Sequence, residues 1–324
     1  MRRWQIATLG VALGATVFLG ACENNTQGPT PPSADRGLVG APEGPMMGIH
    51  WARGEHPANA GVHGRPQPGN MTLHNGYIMP SSKTYSIFWG TGAGAGDKTA
   101  GINAFLGGFG GSNYIHASTE YYGIDNVHVG TASQFLASYT DGSAAPSNAP
   151  QVSTVQNEVC SVLAANGVAP RSDAVYNVYA STKRGGAGYC AWHSYGSCNG
   201  VPVQFAWYFN LDGDSGCDPG APYGSYTSGH ANSQGLAALA NVTAHEVSET
   251  ISDPRNGGWY DSQNGENADK CAWSFSPNNG GLVTMSNGGQ FKLQMEWSNA
   301  AFTAGTGYSN RYGQNACLDG IVKY

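Results

Sequence analysis

His245, Glu246 and Glu249 stand together in the stretch HEVSET, residues 245–250. Residues four apart on a helix project from the same side, so the His245 and Glu249 side chains can approach one ion from adjacent turns. Glu246, directly after the histidine, is then placed to act as a general base on a nearby water. Zinc proteases often carry this pattern as His-Glu-x-x-His. Here Glu249 takes the place of the second histidine, and carboxylate oxygen is an accepted zinc ligand. The spacing alone is unspecific, since any amphipathic helix offers it; a helix that follows a run of strands gives it weight.

A catalytic zinc needs a third protein ligand and an open position. Asp269, in GENADKC (265–271), is the leading candidate, because a loop pinned by Cys271 can fold back toward the helix. Glu266 is its neighbouring alternative. His193, in YCAWHSYGSC (189–198), is another candidate ligand; the competing reading is a satisfied structural histidine. Asp253 lies eight residues after His245, a rise of about 12 Å along a helix, so it is better suited to cap or turn the chain before Pro254.

Other motifs are excluded by their own requirements. A calcium loop starting at Asp212 in LDGDSGCD (211–218) needs Gly at its sixth position and Glu at its twelfth, but Cys217 and Tyr223 stand there, leaving an acidic turn. The glycine-rich GTGAGAGDK (90–98) lacks a Gly-Lys-Ser/Thr ending, and there is no Gly-x-Ser-x-Gly elbow. A net charge of −6 with no basic stripe argues against a nucleic-acid partner.

The elements that must position these residues follow from periodicity. KTYSIFWG (83–90), NVHVG (126–130), DAVYNVYAS (173–181) and VPVQFAWYF (201–209) read as strands. DKTAGINAFLGGF (97–109), with Asp97 as N-cap, and 147–167, closing at Gly167, read as helices. The helix carrying the motif runs from Ser233 to Pro254, and short strands follow in GLVTMS (281–286) and FKLQMEW (291–297). The expected fold is α+β: a zincin-like mixed sheet with covering helices, an active-site-type helix near 233–252, and a disulfide-stapled C-terminal part.

Residues 1–21, with Arg2 and Arg3 before an apolar run, read as a lipoprotein signal, and Cys22 as its lipidation site. Residues 22–79, rich in Pro, Gly and Asn, read as a disordered tether, with His50, His56, His63 and His74 as solvated linker residues. Residues 80–324 form a single domain. Its six cysteines suggest three disulfides in an exported chain: Cys190–Cys198 as a small loop, Cys271–Cys317 as a clamp, and Cys160–Cys217 by remainder.

The segments TYSIFWG, AVYNVYAST, GYCAWHS, AHEVSETISDP with WYD after it, ADKC, and finally WSN before Cys317 resemble the Exordium, or phosphate-induced protein 1, family of plants and its bacterial secreted relatives. The resemblance spans most of residues 84–320. It implies an extracellular protein of a family associated in plants with growth and cell-wall processes, and it sets Asp269 and Cys271 at the Asp and Cys of the family's Asp-x-Cys segment.

The expected function is that of a secreted zinc hydrolase, a metallopeptidase binding Zn2+ through His245, Glu249 and Asp269. Glu246 would activate water against a peptide or protein substrate. The protein is expected at the bacterial cell envelope, facing periplasm or exterior, touching the membrane only through its lipid anchor. The alternative is a non-catalytic surface module that binds cell-wall polysaccharide or protein through aromatics of GGWYD (257–261) and AWYFN (206–210). A third reading makes the metal structural, tying the helix to the Cys271 loop.

Overall fold

Stretches rich in valine, tyrosine, phenylalanine and tryptophan pair side by side in the computed structural model, which describes residues 44–55 and 68–321. In chain order the elements are β1 (Met47–Trp51), β2 (Thr72–Leu73), β3 (Ser82–Trp89), α1 (Lys98–Phe109), β4 (Ser133–Asp141), α2 (Val152–Ala165), β5 (Ala174–Lys183), β6 (Tyr189–Cys198), β7 (Val201–Asn210), β8 (Gly224–Thr227), β9 (His230–Ala231), α3 (Gln234–Ser252), β10 (Trp259–Tyr260), β11 (Leu282–Thr284), β12 (Gln290–Lys292), β13 (Glu296–Trp297), α4 (Asn299–Ala304), β14 (Tyr308–Ser309) and β15 (Asn315–Leu318).

The main sheet has the order β1-β6-β7-β5-β3-β4. Strands β4, β3, β5 and β7 are parallel, β6 is antiparallel to β7, and β1 is antiparallel to β6. The mixed α+β architecture is therefore as expected. β7 is buried from Pro202 to Phe209, as a strand covered on both faces must be. Helices α1 and α3 pack on each other and on the sheet, and α2 packs on β5, β6 and β7.

α3 is buried along its whole length from Gly235 to Ser252. Small residues at Gly235, Ala237, Ala238, Ala240 and Ala244 let the sheet and the C-terminal region close on it. A helix enclosed on every side is expected to be apolar all round, yet α3 buries His245, Glu246 and Glu249 near its end. Its start is fixed by Ser233, whose side chain accepts from the Leu236 N–H. Asp97, expected to cap α1 through its side chain, instead accepts from the backbone N–H and hydroxyl of Ser233, both at 2.7 Å. Beyond α3 the chain forms small sheets of order β11-β12-β8-β9 and β13-β15-β14.

Several expectations are corrected. The disulfides are Cys160–Cys198, Cys190–Cys217 and Cys271–Cys317. Only the last was expected; Cys190 and Cys198 sit at opposite ends of β6 and cannot meet. NVHVG contributes only an isolated bridge between Tyr122 and His128, and the strand beside β3 is β4 instead. The tether reading of 22–79 fails at 44–55 and 68–79, where β1 joins the main sheet and β2 pairs with β10. His50 is fully buried and His74 stacks on Tyr260 at 3.5 Å between ring centroids. Residues 1–21, Cys22, His56 and His63 lie outside the described residues. Among the described residues no helix is long and apolar enough to cross a membrane.

Candidate metal centre

Five side chains converge where the end of α3 meets β6 and the loop before Cys271. The His245 Nε2 atom lies 3.2 Å from Glu249 Oε2 and 3.5 Å from Asp269 Oδ1. Two ligands of one tetrahedral zinc, each about 2.1 Å from the ion, stand roughly 3.4 Å apart, so both distances from His245 Nε2 match that spacing, and all three donor atoms lie within 4.8 Å of one another. His193 Nε2 lies 3.3 Å from Glu266 Oε1 and 3.9 Å from Glu249 Oε2, forming a second triplet. The two triplets share Glu249.

Each donor is set by a different part of the chain. His245 and Glu249 come from adjacent turns of α3, as their spacing requires. β6, held at its ends by Cys190–Cys217 and Cys160–Cys198, carries His193. Asp269 and Glu266 sit in the loop that Cys271 ties to Cys317. There the Asp269 N–H donates to Glu249 Oε1 at 2.9 Å, and the Glu266 N–H donates to Asp269 Oδ2 at 3.3 Å. Asp253 stays apart: its Oδ1 accepts from the N–H groups of Gly257 and Gly258, both at 2.8 Å, turning the chain after α3.

Glu246 is fully buried, and its carboxylate oxygens lack close hydrogen-bond partners, with only the His50 backbone group near enough to favour the charged form. Glu266 Oε2 is likewise buried and unpartnered, and Glu249 Oε2 meets only the ring nitrogens of His245 and His193. Unpaired buried carboxylates are costly, and burial displaces the pKa values of the cluster accordingly. Burial, with Asp269 next to it, pushes the Glu249 carboxyl up to about 7. Burial raises Glu246 and Glu266 well above the usual carboxylate range, Glu266 with the further repulsion of Glu249. His193 is pushed down to about 3, by burial and then by His245. His245 moves the other way: burial lowers it, but Glu249 and Asp269 together outweigh burial and raise it well above 6.5. Such a set could hold a divalent cation, which would neutralise carboxylates and fill lone pairs together; without one, protonation of the raised carboxyls relieves the charge.

Four contributors escaped the sequence reading. Gln294 bridges two imidazoles, its Nε2 donating to His245 Nδ1 at 2.9 Å and to Ala268 O at 2.9 Å, while its Oε1 accepts from His50 Nε2 at 3.0 Å. The His50 ring packs edge-on against His245 at 4.4 Å. Glu296 accepts from the Tyr114 hydroxyl at 2.5 Å and from Asn267 Nδ2 at 2.9 Å, below the cluster. Gly48 in β1 has φ +47°, and a Cβ there would lie 2.0 Å from Glu249 Oε2. Only β1 left a local signal: Met47, Ile49 and Trp51 alternate as a strand's face does.

A cavity of about 850 Å³ opens beside the cluster and touches it at Glu266 and Asp269. Its wall includes Met46, Trp51, Tyr260 and Tyr312. Of the aromatics considered for a glycan-binding surface, Tyr260 lies in that wall, whereas Trp207 is fully buried and Trp259 is buried with its indole N–H donating to Tyr122 O at 2.7 Å. Comparison with known protein families, with curated proteins and with solved structures finds no match.

Proposed function

We propose that the protein is a zinc-dependent hydrolase of peptide bonds, with the ion held by His245, Glu249 and Asp269 in a zincin-like arrangement. The single observation that carries this reading is Glu246: a buried carboxylate without a partner, one residue from a triplet of donors at metal-ligand spacing. A structural ion has no use for such a group. The His245 triplet is preferred over the His193 triplet because Glu246 shares its helix.

When bound, zinc supplies a Lewis acid that acidifies water and polarises a carbonyl. Glu246 takes the proton from the attacking water and passes it to the departing amine. Asp269 has 17% of its side chain exposed, against none for His245 and Glu249, so the cavity side is where a substrate approaches. His193, neutral in its burial, donates from Nε2 to Glu266 and holds that carboxylate beside the centre. His245 turns Nε2 toward the carboxylates, while its Nδ1 side is fixed by the contact with Gln294.

We further propose an exported protein related to the Exordium family, anchored to the cell envelope through Cys22 and meeting the membrane only there. Its three disulfides suit an oxidising compartment. The test of function is hydrolysis of fluorescently labelled casein by the full chain with zinc. Loss of hydrolysis on stripping with a chelator, and its return with added zinc, is the expected result. Hydrolysis that survives complete stripping contradicts the reading.

A further inference from the structure

We propose that the outer edge of β6 is the docking edge for an extended peptide substrate, and that residues 44–51 fill it in cis, so that a substrate must displace them. This rests on the hydrolase reading and names its substrate geometry.

A sheet edge next to a cluster of reactive groups is a natural place for an extended peptide, because unpaired N–H and C=O groups there hold any backbone regardless of sequence. β6 is the strand that brings His193 to the cluster, and β1 takes its edge by antiparallel pairing: Met47 opposite His193, His50 opposite Ala191, Trp51 opposite Tyr189. The pairing extends backward, with the Gly44 N–H donating to Tyr195 O at 3.2 Å and Ser194 Oγ donating to Pro45 O at 2.7 Å.

The register breaks at the cluster itself. From Met47 to His50 is three residues, while their partners His193 and Ala191 are two apart, so β1 carries one residue extra there; between His50 and Trp51 the extra residue is on β6, and the register is regained at Trp51. Such a bulge takes peptide groups out of the ladder and re-aims them. The re-aimed part is Gly48, where an added Cβ would lie 2.0 Å from Glu249 Oε2 and 2.5 Å from His193 Cδ2. What faces the donors is therefore bare main chain, the part of a peptide on which a peptidase acts. His50, two residues on, lies over His245. Met46, Gly48 and Trp51 also line the cavity that reaches Glu266 and Asp269, so a peptide in place of β1 would run along that cavity's wall. With β1 seated, the backbone of Gly48 stands where the scissile bond of another chain has to lie.

The experiment compares the full chain with its Gly48→Val variant, in which a side chain at a positive-φ position has no room and must lift the segment. The probe is a fluorescein-labelled peptide of residues 44–52, GPMMGIHWA, followed by anisotropy, with bound zinc measured in both proteins. The expected result is probe binding at least tenfold tighter to the variant than to wild type. Equal binding by two folded proteins, or no binding by a folded variant, overturns the proposal. If the variant does not fold, hydrogen exchange on wild type decides. Amides of Met47–Trp51 exchanging at least tenfold faster than those of β5 and β7 support a displaceable segment, and equal protection overturns it. Failure of the two ideas is separable. Preferential probe binding without casein hydrolysis keeps the docking edge and removes the hydrolase; casein hydrolysis equal in both chains, with no probe preference, does the reverse.

Discussion

Glu246→Gln retains the zinc of the wild-type chain and lowers hydrolysis of labelled casein by about a hundred- to ten-thousand-fold, the range that removal of a general base produces. The substitution keeps shape and volume but leaves a group that cannot accept a proton. Glu246 lies outside the ligand triplet, so metal content is unchanged. It is also the group whose burial is hardest to justify structurally, since both its oxygens lack partners. Neutralising it relieves a desolvated carboxylate, and the variant melts no lower than wild type. A structural role predicts the opposite pair of results: lowered melting temperature and unaltered turnover. Because β1 covers the cluster, the comparison is made in the wild-type and the Gly48→Val chains alike. A Glu246→Gln chain as active as its parent in both removes the mechanism.

Stripping the metal has the second large effect. A ligand present at a hundredfold its dissociation constant stabilises the folded chain by about 2.7 kcal/mol. For a domain of this size each kcal/mol moves the melting temperature by roughly 2–4 °C, so chelation lowers it by about 5–10 °C. The pH dependence of that difference has a definite sign. In the stripped chain Glu249 has a folded pKa of about 7, above its ordinary 4.5. Its stabilising contribution is thus complete below 4.5 and is lost as pH rises through 7. His245, Glu246 and Glu266, all raised, act in the same direction. His193, lowered to about 3 from 6.5, has the opposite sign, and its contribution falls away only below pH 6.5. Above pH 6.5 nothing in the cluster opposes the loss. The stripped chain therefore weakens between pH 6.5 and 8, while the zinc-loaded chain, with its carboxylates held ionised by the ion, does not follow. Differential scanning calorimetry at both pH values measures it; a gap that narrows with rising pH contradicts the assignment of Glu249 as a ligand.

What the sequence made legible follows from the range of the signals. α3 and its chemistry were readable because both are local: an N-cap serine, a run of small and apolar residues, a four-residue spacing and a terminating proline. The proximity of Asp269 to that helix was readable because Cys271 pins the loop it sits in. The Cys190–Cys198 guess failed because short separation was taken for proximity, whereas an extended strand carries its two ends far apart. His50 and Gln294 left no trace, since they meet His245 from opposite ends of the chain. A glycine- and proline-rich neighbourhood concealed β1, although Met47, Ile49 and Trp51 alternate within it. Gly48 carries meaning only once the partner that excludes its side chain is known.

The central claim is that His245 and Glu249 hold a zinc ion. Metal content of the purified full chain, by plasma mass spectrometry after production with ample zinc, tests it against the His245→Ala, Glu249→Ala double variant, with the fold of each checked by circular dichroism. The account predicts near-stoichiometric zinc in wild type and its loss from a folded variant. Metal-free wild type, or zinc retained by the folded double variant, contradicts it.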